Sequence, residues 1–143
     1  MLEILQAGRT VTLAMVDNDE PYLVALNYGV EVCDGNLRLW LHSAPDGRKI
    51  DCVRRNRRVC FTVVIAGDIL TGATACDCSM RYRSIVGYGT VRIVEDEREK
   101  RTGLDMIMRH YTGKSDMPYK AGLTERTTVL CIDIERITAK ERL

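Results

Sequence analysis

The stretch Leu41-His42-Ser43-Ala44-Pro45-Asp46-Gly47-Arg48-Lys49-Ile50 gathers the residue types best suited to chemistry. It reads as a strand ending in a hydroxyl, a turn, and a helix with a lysine in its first turn. The first N–H groups of a helix have no partner inside it, and the helix dipole adds positive potential, so an anion is favoured there. Gly47 permits close approach to the backbone. Ser43 offers a hydroxyl donor, and Arg48 and Lys49 add positive charge. Together these make a cradle for a phosphate. The same residues also read as an ordinary helix start, with Asp46 as the cap and Arg48 and Lys49 as solvated charges. The segment alone leaves both readings open. His42 likewise reads as a plain strand-end histidine or as a group that titrates usefully near neutral pH.

These residues need elements to hold them. A short helix is expected from Met1 to Gln6, ended by Gly8. A strand follows at 10–16 and stops at the turn-forming Asp17-Asn18-Asp19-Glu20-Pro21. A second strand is predicted from Tyr22 to Val32, then a tight hairpin at Asp34-Gly35 and a third strand from Asn36 to Leu41, the three forming a meander. In that third strand Leu37, Leu39 and Leu41 alternate with Arg38, Trp40 and His42. Asp46 is expected to cap a helix over Gly47–Arg55 that ends at Asn56. Strands at Val59–Ile65, stopped by Gly67-Asp68, and at Tyr82–Val94 flank a polar loop from Thr71 to Ser79. Gly87 and Gly89 inside the longer strand mark a bulge or a close approach. A helix from Asp96 to Tyr111 places acids in its first turn and Arg109 and His110 in its last. Its apolar stripe is Leu104, Ile107, Met108 and Tyr111, and Gly113 stops it. A final strand runs from Thr128 to Ile134. The order β-β-β-α-β-β-α-β favours a closed or partly closed antiparallel barrel with helices outside.

At 143 residues the chain is expected to form one domain with its own core. A net charge of +1 gives no global field toward nucleic acid or an anionic membrane. The run Arg54-Arg55-Asn56-Arg57-Arg58 has no interleaved aromatics and reads as a solvated helix end. No apolar window is long enough for a membrane span, and the first residues do not resemble a secretory signal, so a cytoplasmic location is expected. Cys33, Cys52, Cys60, Cys76, Cys78 and Cys131 therefore do not suggest a secreted disulfide framework. Cys76 and Cys78 are the only local pair. They read as incidental or as a redox or metal pair, although zinc would need two more ligands and His42 and His110 are the only imidazoles. No metal is expected.

The segments LHSAPDGRKIDCVRRNRRVCFTV, YRSIVGYGTVRIVEDEREK and VLCIDIERITAKE resemble the pyridoxamine 5'-phosphate oxidase-like FMN-binding split-barrel family, and within it the nitroimidazole-resistance (Nim) related branch. The resemblance covers nearly the whole chain and rests on the combination of HSA, G-x-K and YRS-x-x-G-x-G. It implies a mainly β fold, a six-stranded antiparallel split barrel with two to three peripheral helices. It also implies a homodimer with FMN sites at the interface. By position, Ser43 and Lys49 would hold the FMN phosphate with Gly47 and Arg48. Leu26, Asn27 and Tyr28 would line the isoalloxazine ring, and Leu41 and His42 would lie against the ring or ribityl chain. Arg83 and Ser84 would approach from another strand, from the same or the partner subunit. The activity implied is reduction of small electron-poor acceptors, nitroaromatic or quinone in type, by a reduced nicotinamide (NAD(P)H), with His42 as the proton donor or substrate contact. The alternative is a non-catalytic flavin or haem binding or sensing protein, with His42 or His110 as axial-ligand candidates. Further basic residues and a C-terminal extension of the true pyridoxamine phosphate oxidases have no counterpart here, which argues against vitamin B6 oxidation.

Overall fold

Two hairpins are set by two-residue turns whose central residues all have positive φ: Asn18 (49°) and Asp19 (70°), then Asp34 (50°) and Gly35 (78°). Turns of this hand match the twist of the flanking strands, and Asn, Asp and Gly tolerate the conformation best. The computed structural model describes residues 1–143. The first hairpin joins β1 (Val11–Asp17) to β2 (Glu20–Leu26), and the second joins β3 (Gly29–Cys33) to β4 (Asn36–Ser43). The long strand expected from Tyr22 to Val32 is thus two strands, broken at Asn27-Tyr28. The expected three-strand meander does not form either, because β2 and β3 do not pair.

The remaining strands are β5 (Arg58–Leu70), β6 (Ser79–Val94) and β7 (Thr128–Arg142). All seven form one antiparallel sheet in the order β2-β1-β5-β6-β7-β4-β3. The count is seven, not six, since the break at Asn27-Tyr28 makes two strands of one. β2 and β3 occupy opposite edges, yet only two residues separate them in the chain. Three peptide steps span at most about 11 Å, far less than the width of seven flat strands at about 4.8 Å each. The sheet must therefore curl to bring its edges together. Gly67-Asp68 does not stop β5, which continues through an irregularity between Ala66 and Ile69. β6 carries a register shift between Tyr88 and Gly89, the bulge its glycines announced. β7 runs eight residues past its expected end.

There are four helices rather than two or three: α1 (Leu2–Ala7), α2 (Arg48–Arg55) and α3 (Glu97–Thr112) pack on the sheet, and α4 (Leu123–Arg126) packs on α3. The Asp96 side chain accepts from the Glu99 N–H at the start of α3, and Gly113 ends that helix in the left-handed conformation. Leu13, Leu39, Leu41, Ile50, Phe61, Ile85, Leu130 and Ile132 belong to the main core. A smaller cluster lies under α3 around Trp40, Leu104, Ile107, Val129 and Cys131. Alternation along β4 explains the division, since Leu39 and Leu41 point one way and Trp40 the other. Gly103 is required on α3, because a Cβ there would lie 2.4 Å from Trp40 Cε3.

Candidate functional site

β4 delivers His42 and Ser43 to the end of the sheet, and Ser43 pairs with Thr128 at the start of β7. The chain then turns through residues 44–47 into α2. The cap of α2 is Gly47, not Asp46, and no side chain bonds to the first turn. Gly47 has φ 128° and ψ 173°, a region that only glycine occupies comfortably. No atom lies within 4 Å of where its Cβ would be, so the backbone is open there. The first N–H groups of α2 are therefore left to a partner outside the chain.

Lys49 sits half-buried in that first turn. Desolvation holds its pKa below the usual lysine range, with no carboxylate offsetting the effect. Next to it, His42 is held below the ordinary imidazole value, first by desolvation and then by the Lys49 ammonium. The His42 imidazole is therefore neutral near pH 7. It opens on a cavity of about 200 Å³ walled by Leu104, Ile107, Met108, Tyr119, Leu123 and Thr127. This wall was missed in the sequence. Leu104, Ile107 and Met108 read there only as the packing stripe of α3, and nothing in the pattern brings Tyr119 back across the chain. Tyr119 is held by its hydroxyl, which donates to Asp105 Oδ1 at 2.7 Å.

The other candidates separate by face. Arg48 turns away from the helix end. Its Nε donates to Asp17 Oδ2 at 2.7 Å, its Nη2 to Glu20 Oε2 at 2.6 Å, and the guanidinium stacks 4.4 Å from the Tyr22 ring centroid. Arg55 binds the same Asp17, so the pair holds that carboxyl below its usual range. Tyr28 and Leu41 are fully buried. The Tyr28 hydroxyl donates to Leu5 O, and burial pushes its pKa up. Neither residue presents a surface to a ligand: the Tyr28 N–H donates to the Tyr111 hydroxyl, and Leu41 pairs with Leu130 of β7. Leu26 is half-buried and Asn27 exposed at the β2–β3 break.

Arg83 and Ser84 lie on β6 opposite Glu141 and Lys140 of β7. Thr128, the partner of Ser43, is thirteen residues of β7 away from Glu141, about 43 Å of strand. The chain does not bring Arg83 or Ser84 to the Ser43–Lys49 corner. His110 is also committed. Its Nε2 lies 2.7 Å from Gly8 O, and its ring packs against Tyr28 and Tyr111. His42 is thus the more open imidazole. All six cysteines are free thiols. No cluster of three or more metal-ligating side chains forms. No helix is long and apolar enough to cross a membrane.

The pyridoxamine 5'-phosphate oxidase family model matches residues 1–141. The chain belongs to this family. A candidate 5-nitroimidazole antibiotic resistance protein from Bacteroides thetaiotaomicron superposes with TM-score 0.83 at 33% identity, over 96% of this chain and 80% of that one. The flavocytochrome Anf3 from Azotobacter vinelandii gives TM-score 0.79 at 20% identity, over 99% of this chain and 65% of its own. An FAD and haem binding protein from Mycobacterium smegmatis gives 0.80 at 18% identity, over 96% and 67%. At those identities the last two share the fold alone. No curated protein matches the chain.

Proposed function

We propose that this protein is an FMN-binding oxidoreductase that reduces small electron-poor acceptors, nitroaromatic or quinone in type, with electrons from NAD(P)H. The observation that carries the reading is Lys49, a half-buried ammonium without a carboxylate partner at a helix start whose cap is an open glycine. That combination suits a terminal phosphate. Lys49 Nζ and the first N–H groups of α2 hold the phosphate, and Ser43 Oγ donates to it. Arg48 contributes its backbone, because its guanidinium is engaged by Asp17 and Glu20. Leu26 and Asn27, the accessible residues at the β2–β3 break, line the ring. When bound, the flavin would supply the two-electron redox chemistry between the nicotinamide and the acceptor. His42, kept neutral, moves one proton through an imidazole nitrogen at the mouth of an apolar cavity.

The curled sheet is read as a split barrel, and the working unit as a homodimer. Val64, Ile69, Met80 and Val86 are exposed apolar side chains on β5 and β6, a surface that a second copy would cover. Arg83 and Ser84 then reach the Ser43–Lys49 corner from the partner subunit. The family match and the nitroimidazole-resistance relative support the reading. A cytoplasmic location is part of it, since NAD(P)H is available there.

The test is the visible spectrum of purified protein before and after adding FMN and removing the excess. A retained flavin double band that disappears in the Lys49→Ala, Ser43→Ala double variant is expected, followed by NAD(P)H oxidation when a nitroaromatic or quinone is supplied. A Soret band would assign haem instead, with His42 as its ligand, and no retained chromophore would overturn the reading.

A further inference from the structure

We propose that Cys76 and Cys78 are a redox-active dithiol that closes reversibly to a disulfide. The inference is independent of the flavin reading. Of the six thiols, Cys52 and Cys131 are buried and Cys33 and Cys60 half-buried, whereas Cys76 and Cys78 are both exposed. They sit in the loop between β5 and β6, whose ends are pinned by the pairing of Leu70 with Ser79. Two trans peptide units separate their Cα atoms, which caps the distance at about 7 Å. The single 3₁₀ turn Ala75–Asp77 shortens it further, toward the range that a disulfide spans without moving the backbone.

The loop holds one sulfur and leaves the other free. Cys78 Sγ accepts from the Gly72 N–H at 3.5 Å and donates to Thr74 O at 3.6 Å. The intervening Asp77 carboxylate is occupied, accepting from Thr74 N–H at 3.1 Å and Thr74 Oγ at 2.7 Å. It is therefore turned to Thr74 rather than to either thiol. Cys76 Sγ makes no hydrogen bond. An accessible thiol beside a positioned second thiol is the arrangement of an attacking and a resolving cysteine.

The oxidant is a low-molecular-weight disulfide. The Cys76 thiolate, having released its proton to water, attacks one sulfur of that disulfide, forming a mixed disulfide and expelling one small thiolate. The Cys78 thiolate then attacks Cys76 Sγ, the protein S–S bond forms, and the second small thiolate leaves. Two protein thiols are oxidised and one small disulfide is reduced to two thiols. Closure withdraws the Cys78 proton from Thr74 O and so removes one of the bonds that hold the loop, five residues before Arg83.

The test uses the full chain, reduced and then equilibrated without oxygen in mixtures of reduced and oxidised glutathione, quenched by alkylation, unfolded and cleaved before aspartate. Cleavage falls between Cys76 and Asp77, so a Cys76–Cys78 bond leaves fragments 68–76 and 77–95 joined until reductant is added. The expected result is joined fragments in oxidised glutathione, complete release by excess reduced glutathione, and a glutathione adduct trapped on Cys76 in Cys78→Ser. Fragments that stay separate at every ratio overturn the proposal, as does joining of either cysteine to Cys60 instead. Cys76→Ser should melt with the wild type in reductant and form no joined fragments at any ratio, because its side chain is exposed. FMN retention in reductant tests the flavin reading separately.

Discussion

Replacing Lys49 by methionine should weaken FMN binding without weakening the fold. Lys49 is half-buried, desolvation lowers its pKa, and no carboxylate compensates. Without an anion its charge therefore opposes folding. Methionine is similar in length and fills the same space without the charge, so the melting temperature of the ligand-free variant should equal or exceed that of the wild type. With an anion the sign reverses. A charge-assisted hydrogen bond is worth about 1.5–3 kcal/mol, so the dissociation constant for FMN should rise by roughly 10- to 150-fold. Riboflavin, which lacks the phosphate, should bind wild type and variant about equally. The assay is flavin fluorescence titration with both ligands, alongside thermal melts of the ligand-free proteins. A lower melting temperature combined with unchanged FMN affinity would refute the reasoning and make Lys49 a structural cation.

Gly47→Ala places a side chain at φ 128° in open space. Backbone strain of about 1–3 kcal/mol should shift the start of α2 and reduce FMN affinity in the same titration, while circular dichroism shows the fold retained. Arg48→Ala should do the reverse. It removes solvent-screened ion pairs to Asp17 and Glu20, so the melting temperature should change little and FMN affinity should stay within a few-fold of wild type. His42 has a folded pKa below its ordinary 6.5. Between the two values the unfolded chain binds more protons than the folded one, so urea midpoints should rise with pH up to about 6.5 and then level off; His42→Gln should flatten that rise. Gly103→Ala forces a Cβ to within 2.4 Å of Trp40 Cε3 and 2.9 Å of Val129 Cγ1. Overpacking of this kind should lower stability by about 1–3 kcal/mol, read from urea denaturation followed by Trp40 fluorescence.

What local chemistry governs was legible in the sequence. The hairpin at Asp34-Gly35, the Asp96 cap and Gly113 stop of α3, and the bulge near Gly89 each depend on a few neighbouring residues. Ser43, Gly47 and Lys49 also fall within seven positions, and a strand end joined to a helix start places them together whatever the rest of the chain does. Long-range pairing was not legible. The break at Asn27-Tyr28 follows from β2 and β3 belonging to opposite edges of a curled sheet, a fact of strand order that no periodicity encodes. Tyr28 and Leu41 looked like ligand contacts, but packing against α1 and the core decided where their side chains point. Arg48 looked like part of the cradle. Its charge went to Asp17 and Glu20, whose hairpin folds back beside α2, because a long flexible guanidinium takes whichever carboxylates tertiary contact brings within reach.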